Sequence, residues 1–118
     1  MSKISPSTKT GSSHYIMQRV SALALIPLII WLAIAFIGIL QDPSGYLPVF
    51  FAYPFNAIMS ILLIATALYH GSLGMKVILE DYVSNKMTRY LLIITIHFIS
   101  IATAVAGIVS ILRLHLIG

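Results

Sequence analysis

The chain has 118 residues, of which 59% are hydrophobic and only 8% are charged, and its mean hydropathy is +1.01. A water-soluble domain of this length needs far more polar surface, so the composition excludes an ordinary soluble protein. The absence of cysteine from the sequence excludes disulfides, thiolate-ligated iron–sulfur clusters and cysteine nucleophiles in this chain. The net charge of +4 comes from basic residues at the ends of apolar runs, a placement that indicates membrane topology and not nucleic-acid binding.

Three long runs contain no Asp, Glu, Lys or Arg, at residues 20–40, 57–75 and 90–112. Each is close to the ~20 residues that a helix needs to cross a hydrocarbon core of ~30 Å. Because lipid offers the backbone no hydrogen-bond partner, each run is predicted to form one α-helix. The sequence therefore predicts an all-α membrane protein with three transmembrane helices.

The chain is predicted to have two parts, and the boundary between them lies before the first apolar run. Residues 1–13 are rich in Ser, Thr and Lys and lack acids, so we expect a flexible cytoplasmic tail. Residues 14–118 are predicted to form a single transmembrane domain, with helices at about 15–40, 55–80 and 88–113. Residues 41–56, rich in Pro, Gly and aromatic side chains, are expected to be an interfacial loop.

Positive charge is distributed unevenly among the connections. Basic residues precede the first predicted helix and flank the second connection, whereas residues 41–56 contain neither Lys nor Arg. The basic residues concerned are Lys3, Lys9, Arg19, Lys76, Lys86 and Arg89. By the positive-inside rule, the N-terminus and the second connection face the cytoplasm. The N-terminal segment lacks the Arg and amphipathic pattern of a transit peptide, so we expect a bacterial inner membrane rather than a mitochondrial one.

The third predicted helix has small residues at a spacing of four. Ala102, Ala106 and Ser110 repeat at this interval, with Gly107 beside them. Small residues so spaced let helix backbones approach closely. Two interpretations stay open: packing within the chain, or docking onto another membrane subunit.

His70 is an ionisable residue inside the second run. It lies ~16 Å along a helix from Asp81, near the bilayer centre if Asp81 is at the interface. Ionisable groups at that depth are costly and tend to mark function. Gly74, one turn further on, is a small residue that leaves room for a flat macrocycle. Haem ligation, a structural hydrogen bond and a proton path all remain possible roles for His70.

The second predicted helix ends with Glu80, Asp81 and Tyr82. Basic residues nearby favour an ordinary solvated interface with weak ion pairs, and tyrosine is common at such interfaces. The functional alternative is that Tyr82 donates its phenolic O–H to a quinone carbonyl, while Asp81 orients a cationic neighbour.

The block HGSLGMKVILEDYV, residues 70–83, has the spacing H-x3-G-x6-D-Y in the second of three helices. It resembles the hydrophobic membrane-anchor (D-type, cytochrome b small) subunits of succinate dehydrogenase. The opening segment HYIMQRVSALALIPL, residues 14–28, is similar to that family's basic residue followed by a Thr/Ser-Ala pair. The resemblance covers the chain from His14 onward in length, helix count and topology.

This resemblance implies a role for each matching residue. His70 corresponds to an axial ligand of haem b, with the opposite ligand supplied by a companion C-type anchor subunit. Tyr82 corresponds to a ubiquinone ligand and Asp81 to the acid beside it. Arg19 corresponds to a basic residue near a haem propionate, and His14 is a weaker candidate for the same region.

The resemblance also implies a function within respiratory complex II, which links the tricarboxylic acid cycle to electron transport. The chain would anchor a flavoprotein subunit and an iron–sulfur subunit to the lipid membrane and contribute to ubiquinone reduction. It would be no enzyme by itself, since dehydrogenation belongs to the flavoprotein.

Two other functions stay open from the residues alone. One is a small proton-coupled transporter or channel subunit in which His70 and His97 relay protons. The other is an anchor without haem, in which His70 only joins helices. We expect His97 to form a structural hydrogen bond across helices, His115 to be solvated, and Trp31 to serve packing.

Overall fold

A computed structural model describes the backbone of residues 6–117 and the side chains of residues 13–117. It contains four α-helices: α1 (Pro6–Gln41), α2 (Pro43–Ala52), α3 (Pro54–Tyr82) and α4 (Lys86–Ile117). Within residues 6–117 there is no β-strand. Three segments are long and apolar enough to cross a membrane, namely Ser13–Gln41, Pro54–Tyr82 and Lys86–Ile117. The predicted all-α fold with three membrane-spanning helices is confirmed, whereas the cytoplasmic N-terminus stays a prediction.

Helix α1 is longer than the sequence predicts. It begins at Pro6, within the segment expected to be a tail, and residues 1–5 lie outside the described residues. Pro27 lies inside α1 and removes one backbone donor, yet the helix continues to Gln41. Neighbouring helices and local adjustments make proline tolerable in membrane helices.

Helices α1 and α3 pack antiparallel. Ser21 contacts His70, and His14 contacts Lys76. A later position on α1 thus meets an earlier position on α3, which fixes both the direction and the register of the pair. The contacts bring the N-terminal half of α1 against the C-terminal half of α3.

Helices α3 and α4 are joined by a tight connection. Asn85 caps α4, because its Oδ1 accepts hydrogen bonds from the backbone N–H groups of Met87 at 3.0 Å and Thr88 at 3.2 Å. The two helices approach closely at Gly107, where a Cβ would lie 2.9 Å from Ile64 Cδ1.

The small residues of α4 divide between two faces. Gly107 faces α3, as the interpretation of packing within the chain requires. Ala102, Ala106 and Ser110 are instead exposed on the surface of the chain. Packing within this chain therefore accounts for the glycine and not for the three residues spaced by four.

The expectation of a loop over residues 41–56 was wrong for most of the segment, which forms α2. Asp42 caps this helix by accepting a hydrogen bond from Gly45 N–H at 3.2 Å, and Pro43 occupies the first turn. Phe50 is buried and packs against Trp31 and Tyr46, with ring centroids 5.6 Å apart in both pairs. Aromatic packing thus holds α2 against α1.

His115 is half-buried, contrary to the expectation of a solvated side chain. Its Nδ1 lies 2.8 Å from the backbone oxygen of Phe51, so the ring joins the end of α4 to α2. The carbonyl can only accept, and His115 Nδ1–H is therefore the donor.

Few side chains are buried within the chain. The buried apolar residues are Leu25, Leu28, Ala35, Phe50, Ala57 and Ile111. Most of the large apolar side chains of the described helices are exposed instead. In a membrane protein, exposed apolar side chains contact lipid or another membrane protein. Neither contact exposes apolar surface to water.

Candidate functional site

His70 is held by a hydrogen bond to α1. The ring is half-buried, and its Nδ1 lies 3.0 Å from Ser21 Oγ. The Ser21 hydroxyl also donates to the backbone oxygen of Gln18 at 3.0 Å. A serine hydroxyl has one proton, so once this proton is given to Gln18 the oxygen can only accept from the ring. The bonds to Gln18 and to His70 form together only in the tautomer with the ring proton on Nδ1, which leaves the Nε2 lone pair free.

A polar stripe on α1, formed by His14, Gln18 and Ser21, faces α3. Spacings of four and three place these side chains on one side of a helix. His14 Nε2 lies 3.2 Å from Lys76 Nζ. Because an ammonium group has no acceptor, Lys76 is the donor and His14 accepts as a neutral imidazole.

Gly74 lies opposite Gln18 where α1 and α3 pack. A Cβ there would lie 3.5 Å from Gln18 Nε2, which is ordinary van der Waals contact, so the approach of the amide does not require glycine. The space expected beside Gly74 for a macrocycle is taken by Gln18 on this side. Gln18 Oε1 is a buried acceptor without a hydrogen-bond partner among the described residues.

An apolar groove of about 510 Å³ runs between α1 and α3, next to the Ser21–His70 contact. Ser21 and Tyr69 contribute to its wall, and the other lining side chains include Met17, Val20 and Ala24. An open cleft with apolar walls suits a flat hydrophobic group.

The donor set fits a cofactor that brings most of its own ligands. The described residues contain no group of three or more His, Cys, Asp or Glu side chains that could hold a metal ion. Haem iron takes four nitrogens from the porphyrin and needs only one imidazole from each side. His70 follows the groove-lining Tyr69 and contacts the groove-lining Ser21, so its imidazole could supply one of these two ligands.

Arg19 lies away from the polar stripe. Its side chain is exposed, and the guanidinium carbon is 5.1 Å from the centroid of the Tyr15 ring. Two positions separate it from Ser21, which is roughly 200° around a helix. The structure therefore does not bring Arg19 to His70, whereas it does place His14 on the stripe.

Asp81 and Tyr82 lie at the end of α3 and are both exposed. The Tyr82 side chain is 83% exposed, so its phenol is open to a ligand or another protein. Twelve positions separate Tyr82 from His70, or ~18 Å along the helix axis. The two residues thus lie at different depths and do not form one site.

His97 is bonded within its own helix. Its Nδ1 lies 2.8 Å from the backbone oxygen of Ile93, so the expectation of a bond across helices was wrong. The ring is exposed and lines a groove of about 480 Å³ with Lys76 and Tyr90. His70 contacts Ser21 on α1, whereas His97 lines the groove with Lys76 of α3.

Sequence reasoning missed Ser21 and Gln18 as site residues, and it treated Lys76 only as a topology signal. The spacing His14-x3-Gln18-x2-Ser21 was a usable signal, because it places three polar residues on one face at the start of an apolar helix. Polar side chains on one face of a membrane helix point to a protein contact on that face.

Comparison with known proteins gives a consistent result. The family model described as "Succinate dehydrogenase/Fumarate reductase transmembrane subunit" matches residues 2–107. A succinate dehydrogenase hydrophobic membrane anchor subunit of Rickettsia bellii is 35% identical over 105 residues, covering 89% of this chain and 84% of that protein. The protein of the same description from Rickettsia typhi is 34% identical over 110 residues, covering 93% and 88%. A succinate dehydrogenase membrane anchor subunit of Reclinomonas americana is 34% identical over 97 residues, covering 80% and 81%.

Proposed function

The chain belongs to the family of succinate dehydrogenase/fumarate reductase transmembrane subunits, and we propose that it holds haem b and helps to form a ubiquinone-reduction site. In this proposal His70 is an axial ligand of the haem iron, and Tyr82 and Asp81 belong to the quinone site. The partners are a C-type (cytochrome b large) anchor subunit, an iron–sulfur subunit and a flavoprotein subunit. The chain itself performs no dehydrogenation.

The observation that carries the haem proposal is the bond between Ser21 and His70. It is satisfied together with the Ser21–Gln18 bond when the ring proton is on Nδ1, the tautomer that leaves the Nε2 lone pair available for iron. A ligating histidine usually donates its other ring N–H to an acceptor, which fixes the tautomer and the orientation of the ring. In the tautomer with the proton on Nδ1, His70 has this arrangement, and the groove is lined by its partner Ser21 and its neighbour Tyr69.

Haem, when bound, supplies an iron centre that accepts and releases one electron at a time. His14 lies on the same face of α1 as Ser21, ~10 Å along the axis. We assign a propionate to this region, where the Lys76 ammonium contacting His14 supplies positive charge. A propionate role for Arg19 requires its side chain to leave Tyr15.

The quinone site is assigned to the exposed end of α3. Tyr82 has a phenolic O–H that can donate to a quinone carbonyl, and Asp81 beside it can pair with a cation of the companion subunit. This end of the helix borders water, from which protons follow electrons to the quinone. By the predicted orientation it faces the cytoplasm of a bacterial cell, on the side where we place the iron–sulfur subunit.

Affinity purification of the tagged chain from membranes in mild detergent tests the proposal. The expected preparation contains flavin, iron–sulfur clusters and a b-type haem, and it reduces ubiquinone with succinate. A chain that purifies alone, without flavin or haem, would contradict the proposal and favour a proton-coupled transporter.

A further inference from the structure

We propose that Ser21 is a positioning residue for the haem ligand, because it fixes the tautomer, orientation and electron-donating strength of the His70 imidazole. This inference rests on the proposed ligation of haem iron by His70. It adds to the haem site a residue of α1 that acts on the ligand itself, whereas Arg19 and His14 of the same helix were expected only near a propionate.

The Ser21 hydroxyl is held in one orientation. Ser21 is only 5% exposed, and its Oγ lies 3.0 Å from the Gln18 carbonyl oxygen, which can only accept, one turn earlier on α1. The remaining lone pairs of Oγ then meet His70 Nδ1 at 3.0 Å. The contact with the α1 backbone therefore fixes the position of the acceptor, Ser21 Oγ, independently of the His70 ring.

An acceptor at Nδ1 changes the chemistry at Nε2. A hydrogen bond that draws the Nδ1 proton raises the basicity of the ligating nitrogen. Stronger electron donation stabilises ferric iron more than ferrous iron, so it lowers the reduction potential of the haem. Loss of the acceptor should raise that potential and weaken the hold on iron.

Ser72 provides a matched control within the chain. Its hydroxyl donates to the Tyr69 backbone oxygen at 2.9 Å, three positions earlier, and its side chain is 8% exposed. Ser21 makes the same type of backbone bond at nearly the same burial. The two serines differ in that Ser21 also contacts the imidazole.

The test compares Ser21→Ala, Ser21→Thr and Ser72→Ala in the purified complex. Haem content is measured from the reduced-minus-oxidised spectrum and the midpoint potential by redox titration. Ser21→Ala is expected to raise the potential and to lower the affinity for haem by about 10–100-fold, the usual effect of removing the partner of a ligating histidine. Ser21→Thr keeps the hydroxyl and should restore both values, while Ser72→Ala should match the wild type.

The results distinguish a failure of this inference from a failure of the proposed ligation of haem by His70. If wild-type complex contains haem and Ser21→Ala has the potential and haem content of Ser72→Ala, the positioning role is wrong and ligation by His70 stands. If wild-type complex contains no haem, the proposed ligation itself fails.

Should Ser21→Ala not assemble, Ser21→Cys keeps the size with a weaker acceptor. A wild-type potential in the Cys variant would overturn the inference, whereas a positive shift would support it.

Discussion

Ser21 Oγ and His70 Nδ1 lie 3.0 Å apart, although 49 positions separate the two residues in the sequence. The contact exists because α1 and α3 pack antiparallel in one register, which the contact between His14 and Lys76 also satisfies. A shift of either helix by one residue would move both pairs out of reach, since each residue advances a helix by ~1.5 Å and turns it by ~100°. The orientation of the imidazole thus depends on how two membrane helices pack.

Tyr82→Phe is expected to impair quinone reduction selectively. The substitution keeps the ring but removes the donor proposed to bind a quinone carbonyl, and the loss of one such hydrogen bond is worth ~0.5–1.5 kcal/mol. Succinate:ubiquinone activity should fall, with a higher KM for quinone, while succinate oxidation with a soluble acceptor is unchanged.

Tyr53→Phe is the matched control for that experiment. Tyr53 is 63% exposed and precedes the first turn of α3, whereas Tyr82 is the last residue of the same helix. The control should retain both activities. Equal loss of both activities in Tyr82→Phe would indicate faulty assembly and contradict the assignment of the phenol to the quinone.

Gly107→Val is expected to destabilise contact between α3 and α4. A Cβ at this position would lie 2.9 Å from Ile64 Cδ1, the flexible end of that side chain, and 3.5 Å from Ile64 Cγ2, so Ile64 must move and the two methyl groups of valine add to the crowding. Overpacking of this kind costs about 1–3 kcal/mol, which should lower the Tm of the purified complex. Ile64→Val removes the nearest methyl group, so the double variant should recover part of the loss. An unchanged Tm in Gly107→Val would contradict the close approach.

Single cysteine variants can test the predicted orientation, because the natural chain has no cysteine. Ser44 lies in α2 and Ser84 in the connection between α3 and α4, and both are exposed. A membrane-impermeant maleimide should label Ser44→Cys in right-side-out vesicles and Ser84→Cys in inside-out vesicles. The reverse pattern would contradict the positive-inside assignment.

The three membrane-spanning helices were predictable from sequence, because a long uninterrupted apolar run in a bilayer satisfies its backbone hydrogen bonds by forming an α-helix. The ends of the helices were less predictable than their existence. Helix α4 ends at Ile117, several residues beyond the expected position 113. Helix α2 was missed because Pro, Gly and aromatic residues dominate its sequence. Its start signals, Asp42 followed by Pro43, were nevertheless present.

The candidate site was predictable only where one helix defines it. The spacing of His70, Asp81 and Tyr82 along α3 follows from sequence alone. The partner of His70 does not, because it depends on the register between α1 and α3, which side-chain packing sets. The same limit applies to His97, whose bond to the Ile93 carbonyl competes with any partner on another helix.

The most direct measurement is the haem content of the purified complex carrying His70→Ala, compared with His97→Ala. Each substitution removes one imidazole from a membrane-spanning helix, but the ring of His97 bonds only to its own helix among the described residues. The account predicts that His70→Ala loses the b-type absorbance or shows a changed spectrum and potential, while His97→Ala keeps the wild-type haem. A wild-type haem spectrum and potential in His70→Ala would contradict it.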